Sequence, residues 1–353
     1  MERPREPGSG ASGYAEAYRR AGVDLDRGAE VVRRVAELVR GTHGPEVLRG
    51  IGAFAGAIRL PDGLDDPVLF ASADGVGTKL LLAQAHGRLE VAGWDLVAMN
   101  VNDLAAEGAQ PLFFLDYVAM GRLDPDAIER LIAGMVDALR EVGAVLLGGE
   151  TAELPGMLPE GSLELAGFAV GVAPRASLAR PAPAAGDLLL GLASSGFHAN
   201  GYSLLRALLA RDPDLFTPEE LLTPTRLYVH QAAAAFAAGA KAAAHITGGG
   251  FPENLARVFP STLAAEVAVE AWEVPEIFRR AQAAANLDDR EAYAVWNQGI
   301  GFVFVVAPER LGDVRRALED LGEKPVVLGR LVEQGQGGEG GAVRFRYGGH
   351  LPA

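Results

Sequence analysis

The stretch "FASADGVGTKLLLA" (Phe70–Ala83) starts as a buried strand and ends as a helix. Between the two lie an acid (Asp74), two glycines (Gly75, Gly77), a hydroxyl (Thr78) and a base (Lys79). Glycines let a backbone approach a phosphate closely, and amides at a helix start bind anions. A carboxylate beside them can hold Mg²⁺, and a lysine can neutralise phosphate oxygens. The stretch has neither the Gly-Lys-Ser/Thr ending of a Walker loop nor the spacing of a dinucleotide fingerprint. Alone, it reads most simply as a strand, a turn and a helix with a capping Asp. The rest of the chain decides the matter.

With 353 residues, the chain is longer than one core usually serves, which predicts two domains. It has no Cys, which excludes disulfides, thiolate nucleophiles, Cys-ligated zinc and iron–sulfur clusters. A reducing compartment, the cytoplasm, is the expectation. A formal net charge of −14 argues against a nucleic-acid partner. An anionic ligand then needs local positive groups or metal ions. The opening "MERPREPGSGASG" has no apolar core, so residues 1–17 are expected to be a loose tail and not a signal peptide. No apolar run is long enough to span a bilayer, and no membrane partner is expected.

Several elements are legible. "LDPDAIERLIAGMVDALREVGA" has Asp124 as N-cap, Pro125 in the first turn and Gly143 past the end, with apolar residues at helical spacing. "PVLFASA", "PLFFLDYVA", "AVLLGGE", "LELAGFAVGVA", "DLLLGLAS" and "FVFVVA" read as strands. Helices and strands interleave, which predicts α/β or α+β, and on that pattern alone a doubly wound sheet. The Pro- and Ala-rich run at 173–187 marks the domain boundary. "QAAAAFAAGAKAAA" (Gln231–Ala244) reads as an alanine-rich helix, and "EQGQGGEGGA" (333–342) as a loose hairpin or surface loop.

Five more clusters of acids, amides, glycines and hydroxyls sit where an element ends. "NVNDLAAEGAQPLFFLDY" offers Asn100, Asn102, Asp103 and Asp116; Asp116 interrupts an apolar strand, which is costly unless the acid is paired, hydrogen-bonded or metal-bound. "LLGGETAELPG" empties a strand into glycines and Glu150. "ASSGFHANGYSLLRALL" places Ser194, Ser195, Gly196, His198 and Asn200 before an amphipathic helix. "HITGGGFPENLARVFP" sets Thr247, Gly248, Gly249 and Gly250 before another helix, and "VWNQGIGFVFVV" sets Asn297 before a strand. Each alone could be a turn. Six together imply a phosphate-rich ligand pair held with metal ions.

These segments, with "YRRAGVDLDRG", "AGFAVGV" and "LLTPTRLYV", run in a single order from Tyr18 to Phe304. Together they resemble the phosphoribosylformylglycinamidine cyclo-ligase (aminoimidazole ribonucleotide synthetase) family. The resemblance implies ATP-dependent cyclisation of formylglycinamidine ribonucleotide to aminoimidazole ribonucleotide in purine biosynthesis, with release of ADP and phosphate. ATP would phosphorylate the formyl oxygen, and the amidine nitrogen would then close the ring. The implied fold is α+β with two domains. Residues 18–178 would bind ATP and dimerise through their sheet into an intersubunit barrel. Residues 179–353 would form an α/β domain packed beside it on the substrate side.

Carried over residue by residue, Asp74, Asp103, Asp116 and Glu150 are the expected Mg²⁺ ligands. Asp24, Gly28, Gly52, Asp74, Gly75, Gly77, Thr78, Lys79 and Asn102 are expected at ATP, with the "GIGAFAG" loop (Gly50–Gly56) covering the site. Ser195, Gly196, His198, Asn200, Thr247, Gly248, Gly249, Gly250 and Asn297 are expected at the substrate. His198, Asp103, Lys79 and Glu150 are the expected catalytic groups, with His198 the candidate acceptor of the ring-closure proton. The expected partner is a second copy, in a homodimer. Ala73, Phe197, Ala199 and Gln298 depart from the family pattern without removing a charge. Selenophosphate synthetases and hydrogenase-maturation dehydratases share the Asp-and-glycine pattern but commonly use a Cys or selenocysteine. Thiamine-monophosphate kinases lack the paired "GGETAELPG" and "HITGGGFPENL". A degenerate, nucleotide-binding paralogue is the non-enzymatic alternative.

Overall fold

The structure, a computed structural model, describes residues 11–334 and 342–347. Helices α1 (Ala11–Arg20) and α2 (Leu25–Arg40) lead into a hairpin, β1 (Val47–Arg49) and β2 (Ala57–Ile58), whose tip is the Gly50–Gly56 loop. There follow β3 (Pro67–Asp74), α3 (Lys79–Ala85), α4 (Leu89–Ala106), β4 (Gln110–Met120), α5 (Pro125–Val142), β5 (Val145–Glu153) and β6 (Leu163–Pro174). The second half contains β7 (Leu188–Ala193), α6 (Tyr202–Leu209), α7 (Pro218–Leu221), α8 (Val229–Ala237), β8 (Ala242–His245) and α9 (Gly250–Leu255). It continues through β9 (Leu263–Ala268), α10 (Glu276–Ala285), α11 (Asp289–Val295), β10 (Ile300–Val306), α12 (Leu311–Glu319), β11 (Val326–Glu333) and β12 (Val343–Arg346).

The strands form two larger sheets, ordered β3-β6-β4-β5 and β12-β9-β11-β7-β10-β8. Among the described residues, only strands β4–β5 and β12–β9 pair in parallel. The architecture is α+β in two domains, and the doubly wound expectation is corrected. Alternation of helices and strands could not reveal this, because β4-α5-β5 is a parallel unit as expected while the antiparallel neighbours come from strands distant in the chain.

Two local readings change. Residues 11–17, expected in a loose tail, belong to α1, where Tyr14 and Tyr18 meet one turn apart with ring centroids 4.7 Å apart. The alanine run is not one helix: α8 stops at Ala237, Gly239 turns at φ +108°, and Ala242–His245 pair with β10. Pairing with a neighbouring strand overrides the helix propensity of alanine. Most of the 333–342 segment lies outside the described residues.

Helix α4 is the shared centre of the molecule. Leu96, Val97, Ala98 and Val101 are fully buried, and its apolar residues surround the helix, as expected of a helix covered on all sides. It lies on the four-stranded sheet and also touches α8 and β8 of the second domain. Gly93 and Gly134 let α4 and α5 approach: a Cβ on Gly134 would sit 1.9 Å from the Glu90 carbonyl. The sheet face away from α4 carries Leu69, Phe113, Leu115, Tyr117, Phe168 and Val170, of which Leu69 is 57% exposed and Phe168 45%.

Candidate active site between the two domains

Strand β3 ends at Asp74, and the turn after it passes through Gly77 at φ +64°, a conformation that favours glycine. The Asp74 carboxylate accepts from the Gly75 amide at 2.7 Å, and Asn100 of α4 braces its carbonyl. Burial raises the pKa of Asp74; the Gly75 amide opposes this, Asp103 adds to it, and His245 relieves it. Asp103, on α4, lies 3.0 Å from His245 Nδ1 through its Oδ1, so the acid pair reaches the second domain. A cavity of about 330 Å³ lies there, lined by Ser72, Asp103, His245, Asn254 and Arg257 among others.

The second domain contributes the loop between β7 and α6. Ser195 Oγ donates to the Pro224 carbonyl, and Thr78 Oγ1 of the β3 turn lies 3.2 Å from Ser203 Oγ. Asn200 approaches Met99 and Gly248. The Thr247–Gly250 turn is held by Asn254, which donates to the Gly248 and Gly250 carbonyls and accepts from Thr247. Asn297, expected on the substrate, is 3% exposed and braces the loop instead: it accepts from Ser194 Oγ and the Gly299 amide and donates to the Gly196 carbonyl. Phe197 fills an aromatic cluster with Phe216, Phe278 and Trp296.

His198 is 1% exposed, with φ +59°. Its Nε2 accepts from the Ser195 amide, which puts the proton on Nδ1. Burial, with His245, Lys79 and Arg226 adding to it, holds its pKa well below the ordinary histidine value. In this geometry the ring is neutral and its one lone pair is occupied.

Lys79, expected at ATP, is held by other partners. It is fully buried, and its Nζ meets Asp95 at 2.7 Å and the carbonyls of His198 and Thr223 at 2.8 and 2.7 Å. The two carbonyls accept its hydrogen bonds and Asp95 balances its charge, so the ammonium is engaged away from the turn. Asn102, expected at ATP, is buried and clasps the domains together: it donates to the Arg226 carbonyl and accepts from the Tyr228 amide.

The four expected metal acids do not gather in one set. Among the described residues, no group of three or more His, Asp or Glu side chains is placed to hold a metal. Asp74 and Asp116 both register with Gly167, two strands apart on one face of the sheet. Glu150 registers with Tyr117, and so projects from the other face. Asp116, Glu150, Gly28 and Gly52 line a separate cavity of about 930 Å³ under the Gly50–Gly56 loop. Asp24 caps α2, accepting from the Asp26 and Arg27 amides.

Sequence reasoning gave no role to His245 and passed over Asp95. His245 stood in a quoted glycine motif. Asp95 had a signal in its spacing: Asp95 and Asn102 lie seven residues apart on one side of a mostly apolar helix.

Comparison with known proteins gives one answer. The family description "AIR synthase related protein, N-terminal domain" matches residues 52–173, and its C-terminal counterpart matches residues 184–340. The phosphoribosylformylglycinamidine cyclo-ligase of Bifidobacterium animalis subsp. lactis is 43% identical over 90% of this chain and 97% of that protein. The protein of that name from Oceanobacillus iheyensis is 42% identical over 91% and 98%. Among solved structures, thiamine-monophosphate kinase from Stenotrophomonas maltophilia has a TM-score of 0.64 at 21% identity, covering 88% of this chain and 95% of that one. Hydrogenase maturation protein HypE in complex with ATP has a TM-score of 0.66 at 20% identity, covering 89% and 90%. These two share the fold. The matches to curated proteins span both domains in one order, and the chain belongs to the phosphoribosylformylglycinamidine cyclo-ligase family of enzymes.

Proposed function

We propose that the protein converts formylglycinamidine ribonucleotide and ATP to aminoimidazole ribonucleotide, ADP and phosphate. One observation carries this reading: the Asp74–Thr78 turn and the Ser194–Ser203 loop come from different domains and meet at Thr78 and Ser203. A phosphoryl donor on one side can then face an acceptor on the other, and positioning is most of what phosphoryl transfer asks of a protein.

Asp74 and Asp103 would hold Mg²⁺. They fit it: both are hard oxygen donors, they repel each other, and Asp74 has only an amide and a histidine to relieve its charge. Mg²⁺ needs only one or two protein carboxylates when phosphates complete its shell. Bound there, it would offset the charge of the transferring phosphoryl group. Gly75 and Gly77 leave room for the phosphates, since a Cβ at Gly77 would meet open space. Ser195, Asn200 and the Thr247–Gly250 turn form the substrate side. The γ-phosphoryl group passes to the formyl oxygen, the amidine nitrogen bonds to that carbon, and phosphate leaves with the oxygen. One proton is released, and His245, oriented by Asp103, accepts it.

The open apolar face of the four-stranded sheet supports a homodimer closed through that sheet. With the partner in place, the cavity beneath the Gly50–Gly56 loop would be walled on its open side. We place the domain boundary at 178/179 and the enzyme in the cytoplasm. Substrate labelled with ¹⁸O at the formyl oxygen tests the chemistry. The label must appear in phosphate; phosphate without label contradicts the proposed phosphorylation.

A further inference from the structure

Lys79 follows the nucleotide-side turn directly as the first residue of α3, yet none of its donors reaches that turn. Its ammonium is shared between the domains. Asp95 of α4 is the acid partner, and the two carbonyls, His198 and Thr223, belong to the second domain. Asp95 reaches across too, accepting from the Thr225 amide at 2.7 Å through Oδ1. A buried ammonium is tolerated only when paired and hydrogen-bonded, and here Asp95 is the pair and the two carbonyls are the acceptors. The carbonyl it holds is that of His198, a residue in the left-handed region that persists only where its surroundings fix it.

We propose that Lys79 is a positioning residue that couples the two halves of the site, so that a nucleoside triphosphate at the Asp74–Thr78 turn raises the affinity of the Ser194–Ser203 loop for the ribonucleotide. The inference rests on the function proposed above. Its physical basis is that the turn and Lys79 share one short piece of backbone. A shift of the turn moves Nζ, and moving Nζ strains two hydrogen bonds and an ion pair at once unless the loop follows. The Thr78–Ser203 contact runs beside it as a second link. The coupling must be reciprocal: each ligand tightens the other by the same factor, typically about 5- to 150-fold.

The test uses the whole protein with Mg²⁺ and a non-hydrolysable ATP analogue. Binding of the analogue alone is expected to slow amide exchange at Ser195–Asn200 about fivefold or more, and to lower the ribonucleotide Kd by a similar factor. Analogue binding that leaves both unchanged overturns the coupling alone. Failure of the native protein to bind the analogue overturns the functional reading and the coupling with it. The paired variant Lys79→Met with Asp95→Asn removes both charges together. It is expected to keep the analogue Kd within about twofold while the mutual tightening collapses to about one. Retention of the tightening, or equal loss of affinity for both ligands, refutes a positioning role. The exchange measurement on native protein decides the matter even if the variant does not fold.

Discussion

Asp116 offers a stability test whose size follows from its surroundings. It stands in β4, 8% exposed, with Gly149 opposite it; a Cβ on Gly149 would lie 2.0 Å from its Oδ1. Burial raises its pKa most, its own backbone amide lowers it in part, and Glu150 raises it further, to about 7. The ordinary value is 3.8. The folded state therefore holds a proton, between these values, that the unfolded state has lost. Stability from this group is intact below about pH 4, falls as pH rises, and reaches its full deficit above about pH 7. The deficit is about 4 kcal/mol at full effect, from about 1.4 kcal/mol per tenfold step. Asp116→Asn keeps the shape and removes the charge, so the variant lacks this loss. Its advantage over the native chain should be near zero at pH 4 and grow to about 4 kcal/mol at pH 8, about 8–16 °C in Tm for a domain of this size. Calorimetry of both proteins at pH 4 to 8 reads this directly, and parallel profiles would refute the reasoning. If the carboxylate is kept for function, the stabilised variant will also turn over more slowly.

Three other outcomes follow from named contacts. Gly301→Ala places a Cβ 2.2 Å from Tyr228 Oη and 2.5 Å from His198 Cε1. It should cost about 1–3 kcal/mol in a denaturant titration and depress turnover by moving His198. His245→Gln should lower kcat by about 10²–10⁴-fold with Mg²⁺-dependent ATP binding retained; an unchanged kcat removes it from proton transfer. Leu69→Glu with Phe168→Glu puts two charges on the open sheet face. Sedimentation should then show monomers where the native chain shows dimers, and a native monomer would remove the proposed interface.

Most elements were legible because their signals are local. The Asp124 N-cap, Pro125 and Gly143 bound α5 as expected, with Gly143 at φ +69°. The apolar runs became β3 to β7 and β10. Sheet topology was not legible, because pairing direction depends on distant strands. β8 was missed because alanine favours a helix until a neighbouring strand claims it. At the site, the sequence marked loops that meet between the domains but not which way their side chains face. Lys79, Asn102 and Asn297 have the right residue types in the right segments, yet they hold the protein together. Polarity alone cannot separate a buried clasp from a ligand contact, since each needs hydrogen-bonding partners. Asp74 and Asp103 stayed together because a turn and a helix converge on one domain interface, and His245 joined them from the other side.

The central claim is the reaction, and one assay addresses it most directly. Purified protein is mixed with ATP, Mg²⁺ and formylglycinamidine ribonucleotide, and ADP and aminoimidazole ribonucleotide are followed together. The account predicts ADP release that requires the ribonucleotide and matches the imidazole product one for one. Bound ATP with no imidazole product, or ADP release indifferent to the ribonucleotide, would contradict it.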